Sequence, residues 1–261
     1  MMRIFAYSTV IALLAAVPVS AQNWGSVKGK VVWDDPNLPK PTPANVDKDQ
    51  PHCLAKGALL KDEVVVDPKS KGVRNVMVWL ADPAGGKLPI NPKLAAVPKD
   101  KVVIDQPMCL FEPRVTMLRQ GQTLVVKNSA PVTHNTRITG NNEINGTINL
   151  TIPPGQNIEK VLKAEPRPLQ LACDIHGWMA GRIAVFDHPY FALTDKDGKF
   201  EIKDAPAGNF VIYINHEKAG WLHTPRERTG NIGGSKGQAV AIPAGGALDL
   251  GTIKLKPEYL K

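Results

Sequence analysis

LACDIHGWMAGRIAVFD, residues 171–187, reads as the end of one strand, a tight connection and a returning strand. Leu169, Leu171 and Cys173 fall at every second position, so the thiol points where the leucines point, into a core. GRIAVFD then begins the return. Gly177, inside the connection, is expected to take a backbone conformation that other residues resist. The connection gathers a thiol, an imidazole and a thioether (Cys173, His176, Met179) in a chain with only three cysteines. A strand that ends in three soft ligands and turns back at once belongs to a β protein built around a site.

The rest of the chain agrees with a β protein. VKGKVVW (27–33), VRNVMVWL (73–80), KVVID (101–105), QTLVVKN (122–128), GKFEIKD (198–204) and NFVIYIN (209–215) are strand-like, and Gly, Pro and Asn punctuate the intervals. No long stretch keeps a 3.6-residue apolar period, so the fold class is all-β. The exception expected is a short helical turn after Asn91-Pro92, a capping residue followed by proline. DDPNLPKPTP (34–43) carries four prolines and reads as an extended surface arm.

From Lys101 to Asp187 the chain resembles the cupredoxins, the plastocyanin and amicyanin family of small copper proteins. The likeness rests on four residues in order: His134 in the loop SAPVTHN, then Cys173, His176 and Met179, whose Cys-x2-His-x2-Met spacing is similar to the amicyanin loop. It implies a Greek-key β-sandwich holding one type 1 copper ion, with two imidazoles and a thiolate in a plane and a weak axial thioether. Structural zinc would want four strong ligands, and no second Cys-x2-Cys or His-x3-His pair exists. Cys-x-x-Cys-His, for haem attachment, is absent too. Position 177 is glycine, not the second loop cysteine that a binuclear copper centre would want. The resemblance further implies that His176 lies near the surface as an electron port, beside a docking patch of Trp178 and Ala180. Asn135 is expected to brace the ligand loops by hydrogen bonding.

Two flanking parts resemble a second family, the carboxypeptidase regulatory-like (transthyretin-like) β-sandwiches. These are GSVKGKVVW with VRNVMVWL, and FALTDKDGKFEIKDAPAGNFVIYINHEKAGW. In the second part Asp197-Gly198 is expected to form a hairpin turn between Leu193 and Phe200, and Pro206-Ala207-Gly208 the next turn. Thr194, Asp195 and Asp197 lack the ligand spacing and terminal glutamate of a calcium loop. The organisation expected is an N-terminal β region at 22–89, a copper domain at 90–187 and a C-terminal β domain at 188–261. Because GSVKGKVVW needs partner strands and matching ones come only after Asp187, the flanks are read as one sandwich split around the copper domain. A tandem arrangement is the alternative.

Residues 1–21 carry Arg3, an apolar run from Val10 to Val17, and Val19 and Ala21 at the small-residue positions of a cleavage site. This reads as an export signal cut before Gln22, hence a periplasmic or secreted protein. No other stretch approaches the roughly 20 apolar residues of a membrane-spanning helix. Export favours paired thiols. Cys53 in DQPHCL and Cys109 in DQPMCL share a context, so a Cys53–Cys109 disulfide is expected, with two buried free thiols as the alternative. The net charge of +8 is scattered and not clustered, which argues against nucleic acid. It suits an acidic redox protein partner such as a cytochrome. His188 is read as a cap of the strand leaving the site, while His52, His216 and His223 have no ligand-spaced partner. Asn145 and Asn149 match the glycosylation pattern by chance in an Asn-rich loop. Three function classes follow: a single-electron carrier, not an enzyme; a copper-dependent enzyme with an open coordination position; or a non-redox envelope scaffold or adhesion module.

Overall fold

The computed structural model describes residues 23–222 and 237–260, so the export signal expected at residues 1–21 and His223 lie outside the described residues. The chain is almost entirely β. Two sandwiches with separate cores are packed side by side. No helix among the described residues is long and apolar enough to cross a membrane.

The first sandwich is formed by the middle of the chain. One sheet has the order Val115–Arg119, Ala180–Phe186, Leu169–Ala172, His134–Thr139, Thr147–Ile152. The other has the order Asn157–Val161, Thr123–Lys127, Val102–Ile104. Following the chain, His134–Thr139 with Thr147–Ile152 and Leu169–Ala172 with Ala180–Phe186 are antiparallel neighbours within one sheet, while the other steps cross between the sheets. Two pairs are parallel, Val115–Arg119 with Ala180–Phe186 and Val102–Ile104 with Thr123–Lys127. Between the sheets lie Ile104, Leu118, Leu124, Val126, Ile138, Ile152, Leu169, Leu171, Ile183 and Val185, together with Cys173 and Met179.

The second sandwich draws on both ends of the described chain. Trp24–Trp33 is the central strand of a three-stranded sheet. It runs antiparallel to Lys199–Pro206 on one side and parallel to Ala247–Leu255 on the other. Facing it, Met77–Ala81 lies between Phe191–Leu193 and Gly208–His216, and the last of these also pairs with Gly220–Trp221 and Gln238–Ile242. The opening strand thus finds its partners beyond Asp187, and the first sandwich interrupts the second.

Alternation of side chains explains how the two units join. In Met77–Ala81, Val78 and Leu80 enter the core of the second sandwich, while Met77 and Trp79 point outward to meet Val115, Ala184 and Phe186 of the first. In Ala180–Phe186, Ile183 and Val185 serve the inner core, while Ala184 and Phe186 face Trp79. Both strands are apolar on both faces because both faces are covered. Trp79 stacks on Tyr213 at 5.3 Å between ring centroids and lies 5.6 Å from Phe186. Gly181 allows the close approach of its neighbour, since a Cβ there would stand 2.4 Å from the Arg114 carbonyl oxygen.

The two chain crossings between the sandwiches are tied by one side chain. The Tyr190 hydroxyl, fully buried, donates to the Pro89 carbonyl at 2.8 Å and accepts the Asn91 N–H at 2.8 Å. Removing the hydroxyl strands the buried Asn91 N–H, while the carbonyl of the exposed Pro89 can turn to water. Tyr190→Phe is therefore expected to cost about 1–3 kcal/mol, read as a lowered urea midpoint with an unchanged slope.

Several expectations need correcting. VRNVMVWL is not one strand: Asn75 sits at φ 63°, which breaks the extended run, and only Met77–Ala81 is regular. The turn at Asp197-Gly198 forms, with Asp195 Oδ1 accepting the N–H groups of Asp197 and Lys199 at 2.8 Å. Its flanking strands, however, join different sheets and do not pair as a hairpin. The same holds for Pro206-Ala207-Gly208, which carries the chain from one sheet to the other. The turn at Pro92–Leu94 is 3-10, with the Asn91 side chain accepting from Lys93 N–H at 3.0 Å. A second helical turn, Gln50–Cys53, has no counterpart in the sequence reading. In the proline-rich arm, Thr42–Pro43 makes a two-residue ladder with Leu60–Lys61. Asn149 lies in the strand Thr147–Ile152 and not in a loop.

Candidate metal centre

His134 opens the strand His134–Thr139 and so belongs to the sheet and not to the loop SAPVTHN in which the sequence reading placed it. The bend that delivers it is held by Asn128, a buried residue. Its Nδ2 donates to the carbonyls of Val132 and Ile152 at 2.9 and 2.8 Å, and its Oδ1 accepts the Ala130 N–H at 3.0 Å. Sequence reasoning passed over Asn128, although an asparagine closing a strand before S-A-P is a recognisable turn former. The imidazole it positions is fully buried, and neither ring nitrogen has a hydrogen-bond partner. Burial, with His176 and His52 nearby, holds the ring well below the ordinary histidine range, to about 4. The ring is neutral near pH 7. A buried imidazole with two unsatisfied nitrogens is costly in a core and calls for an electrophile.

Cys173 supplies the second group. It follows the strand Leu169–Ala172, and Leu169, Leu171 and Cys173 are all buried, as the period of two requires. Cys173 is the free cysteine, whereas Cys53 and Cys109 form a disulfide. The sulfur accepts the His176 N–H at 3.4 Å and faces His176 Nδ1 at 3.9 Å. The connection is closed by backbone: Met179 N–H donates to His176 O at 2.9 Å, and Cys173 N–H donates to Met179 O at 3.2 Å. Gly177 is not what closes it. Its φ lies outside the left-handed region and a Cβ there would meet nothing within 4 Å, so the glycine is not required by this turn.

One ligand-type atom from each of His134, Cys173 and His176 lies within 4.8 Å of the other two, all three residues being buried. The two rings are 4.6 Å apart between centroids. Two imidazole nitrogens and one sulfur converge from two separate strand ends. Met179 is buried in the same core.

Asn135 fastens the two loops to each other. Its Oδ1 accepts the N–H groups of Asp174 and Ile175 at 2.6 and 3.0 Å, and the Cys173 thiol at 3.2 Å. Its Nδ2 donates to Asn149 Oδ1 at 2.7 Å and to Asp174 Oδ2 at 3.2 Å. The Arg137 guanidinium, then Asn149, holds the Asp174 carboxyl below its usual range. These bonds set the spacing between the end that carries His134 and the connection that carries Cys173.

His176 departs from expectation. It is fully buried, with no edge at the surface. Its Nε2 lies 2.8 Å from Asp49 Oδ2. The reason is a segment far away in sequence: Asp49 begins the turn Gln50–Cys53, and Cys53 is bridged to Cys109, which packs with it against this end of the sandwich. Trp178 lies edge-on to His176 at 5.1 Å, is half-buried, and donates through Nε1 to the Cys109 carbonyl at 3.1 Å. The other histidines stand outside this cluster of three. His188 Nδ1 accepts the Tyr190 N–H, His216 Nδ1 accepts from Lys218 and Ala219, and His52 Nε2 is paired with the Pro107 carbonyl.

No family model matches the chain, and no curated protein is similar to it. Among solved structures, the chain is similar to a purple cupredoxin from Nitrosopumilus maritimus, at 22% identity over 32% of this chain and 98% of that one, with a TM-score of 0.28. It is also similar to a reduced Cu(I) form of an amicyanin variant, at 18% identity over 35% of this chain and 87% of that one, with a TM-score of 0.30. A Cu-containing nitrite reductase from Thermus scotoductus SA-01 matches at 19% identity over 40% of this chain, with a TM-score of 0.30; the chain spans about a quarter (26%) of that enzyme's length.

Proposed function

We propose that this is an exported type 1 copper protein that carries single electrons between redox partners. The observation that carries the reading is the buried ring of His134, whose two nitrogens have no partner and which stands with Cys173 and His176 in one cluster. Two imidazoles and a thiol are the donor set that suits copper in both oxidation states. His134, Cys173 and His176 would hold the ion, with Met179 as the weak fourth ligand. Copper, when bound, supplies a reversible one-electron couple.

The protein's own residues do the rest. Asn128 and Asn135 fix the two loops before any ion arrives, so little rearranges when charge changes. Buried walls of Phe111, Leu171, Cys173 and Met179 exclude water from the centre. With His176 closed over, Trp178 becomes the ring between the cluster and the exterior, and a partner would approach there. Scattered positive charge favours an acidic redox protein by raising the encounter rate. The split second sandwich, regulatory-like in sequence, serves as the scaffold on which the copper unit is mounted, in a periplasmic or secreted protein.

Titration of the metal-free protein with copper(II), followed by visible absorption, tests the reading. One equivalent is expected to produce an intense thiolate-to-copper band that bleaches on one-electron reduction and returns on oxidation. Saturation without an intense band, or no uptake, would sink the proposal.

A further inference from the structure

The contact between Asp49 and His176 is built, not incidental. Asp49 precedes the turn Gln50–Cys53 at the position where an aspartate ordinarily caps the following N–H groups, yet its side chain caps none of them. Its backbone is left-handed instead, at φ 47° and ψ 33°, a conformation that aspartate tolerates better than most residues. The carboxylate Oδ2 is thereby brought to 2.8 Å from His176 Nε2. The disulfide is also near: its sulfurs and a His176 ring nitrogen lie within 4.8 Å of one another. Asp49 is 127 residues from His176 in sequence, and the bridge ties its turn to Cys109 beside the ring.

We propose that Asp49 is a positioning residue for His176, held in place by the Cys53–Cys109 bridge. An ionised carboxylate only accepts, so Nε2 must carry the proton. In a neutral ring Nδ1, which faces Cys173 at 3.9 Å, is then the bare nitrogen and the ligand atom. A carboxylate behind a metal-bound imidazole fixes the tautomer and raises the basicity of the ring. It therefore favours the more highly charged ion, copper(II) over copper(I). This consequence rests on the copper reading above; the tautomer does not.

Two measurements on the full chain keep the claims apart. In the metal-free protein, imidazole nitrogen NMR is expected to place the His176 proton on Nε2. Asp49→Gly suits the left-handed backbone but removes the acceptor, so it should give a mixture of tautomers, while Asp49→Asn, which keeps an acceptor, should restore Nε2–H. The double variant Cys53→Ser, Cys109→Ser should lose the preference as Asp49→Gly does; if it keeps it, the role given to the bridge is wrong. In the copper-loaded protein, Asp49→Gly is expected to weaken copper(II) at least tenfold relative to copper(I), which raises the one-electron potential by about 59 mV. A blue protein whose tautomer and potential ignore Asp49→Gly overturns the assignment of Asp49. A protein that takes up no copper but shows the tautomer change supports that assignment and overturns the copper reading instead.

Discussion

Cys173→Ser is expected to abolish the intense visible absorption of the copper-loaded protein while leaving the fold intact. The colour proposed for this centre comes from charge transfer out of a thiolate, and Cys173 is the free thiol among the described residues. A serine hydroxyl is a hard, neutral oxygen near pH 7 and supplies neither the transition nor the affinity for copper(I). Losing a ligand outright should weaken copper binding by more than the roughly 10–100-fold typical of losing a supporting hydrogen bond. The fold should hardly notice. Serine is close to cysteine in size, and its hydroxyl can donate to Asn135 Oδ1 as the thiol does at 3.2 Å. A change in stability of about 1 kcal/mol or less is expected, read as the urea midpoint of the metal-free protein. A variant that stays intensely coloured would disprove the role of Cys173. One that unfolds would show instead that the thiol is chiefly a packing group.

The contrast between Cys173 and His176 shows what a sequence can and cannot carry. The inward thiol was legible because it depends on local periodicity: Leu169, Leu171 and Cys173 alternate, and that alternation survives in the structure. The clustering of His134 with the Cys173 connection was an expectation that the cupredoxin resemblance implied, since nothing local ties two segments so far apart in sequence. The burial of His176 was not. It depends on Asp49 and the Cys53–Cys109 bridge, which approach from a distant part of the chain that has no periodic signal. In the strand Thr147–Ile152, Ile148, Leu150 and Ile152 alternate with exposed polar residues, so its pattern was available and was overlooked beside the more apolar strands. In Asn157–Val161 the inward positions are Ile158 and Lys160, and Val161 is exposed, so its sequence shows no such pattern. Met77–Ala81 misled in the opposite direction. Its uninterrupted apolar run suggests one continuous strand with Val73, but the run is apolar because two cores flank it, and Asn75 ends it. Arg114 gave no signal at all, since nothing local distinguishes a buried arginine from an exposed one.

Arg114→Met is expected to destabilise the chain by about 3–5 kcal/mol. The guanidinium is buried, and it bridges parts of the chain that belong to different units. Its Nη2 lies 3.1 Å from Glu217 Oε2, at the end of the strand Gly208–His216, and its Nη1 lies 3.1 Å from Asp62 Oδ1. The carboxylate partners are unequal. Asp62 is 42% exposed at its side chain and can return to water, whereas Glu217 is 6% exposed and cannot. Methionine fills the stem of the arginine but leaves Glu217 buried and unpaired, and most of the cost comes from that stranded charge. Burial already pushes the Glu217 carboxyl up, with Arg114 offsetting only part of the effect. Without Arg114 the rise is larger. A raised carboxylate pKa means that the folded state binds more protons than the unfolded one, so stability is lost as pH rises and regained as pH falls. The gap between wild type and Arg114→Met should therefore be widest near pH 7 and narrow as the pH falls toward about 5. Replacing both residues, Arg114→Met with Glu217→Leu, should recover most of the loss, because the buried charge is gone with its partner. Urea midpoints of the four chains in this cycle, at both pH values, measure the coupling. Equal midpoints for wild type and Arg114→Met would mean that the pair does not clamp the two sandwiches. A double variant as unstable as the single one would place the cost in lost packing and not in the unpaired carboxylate.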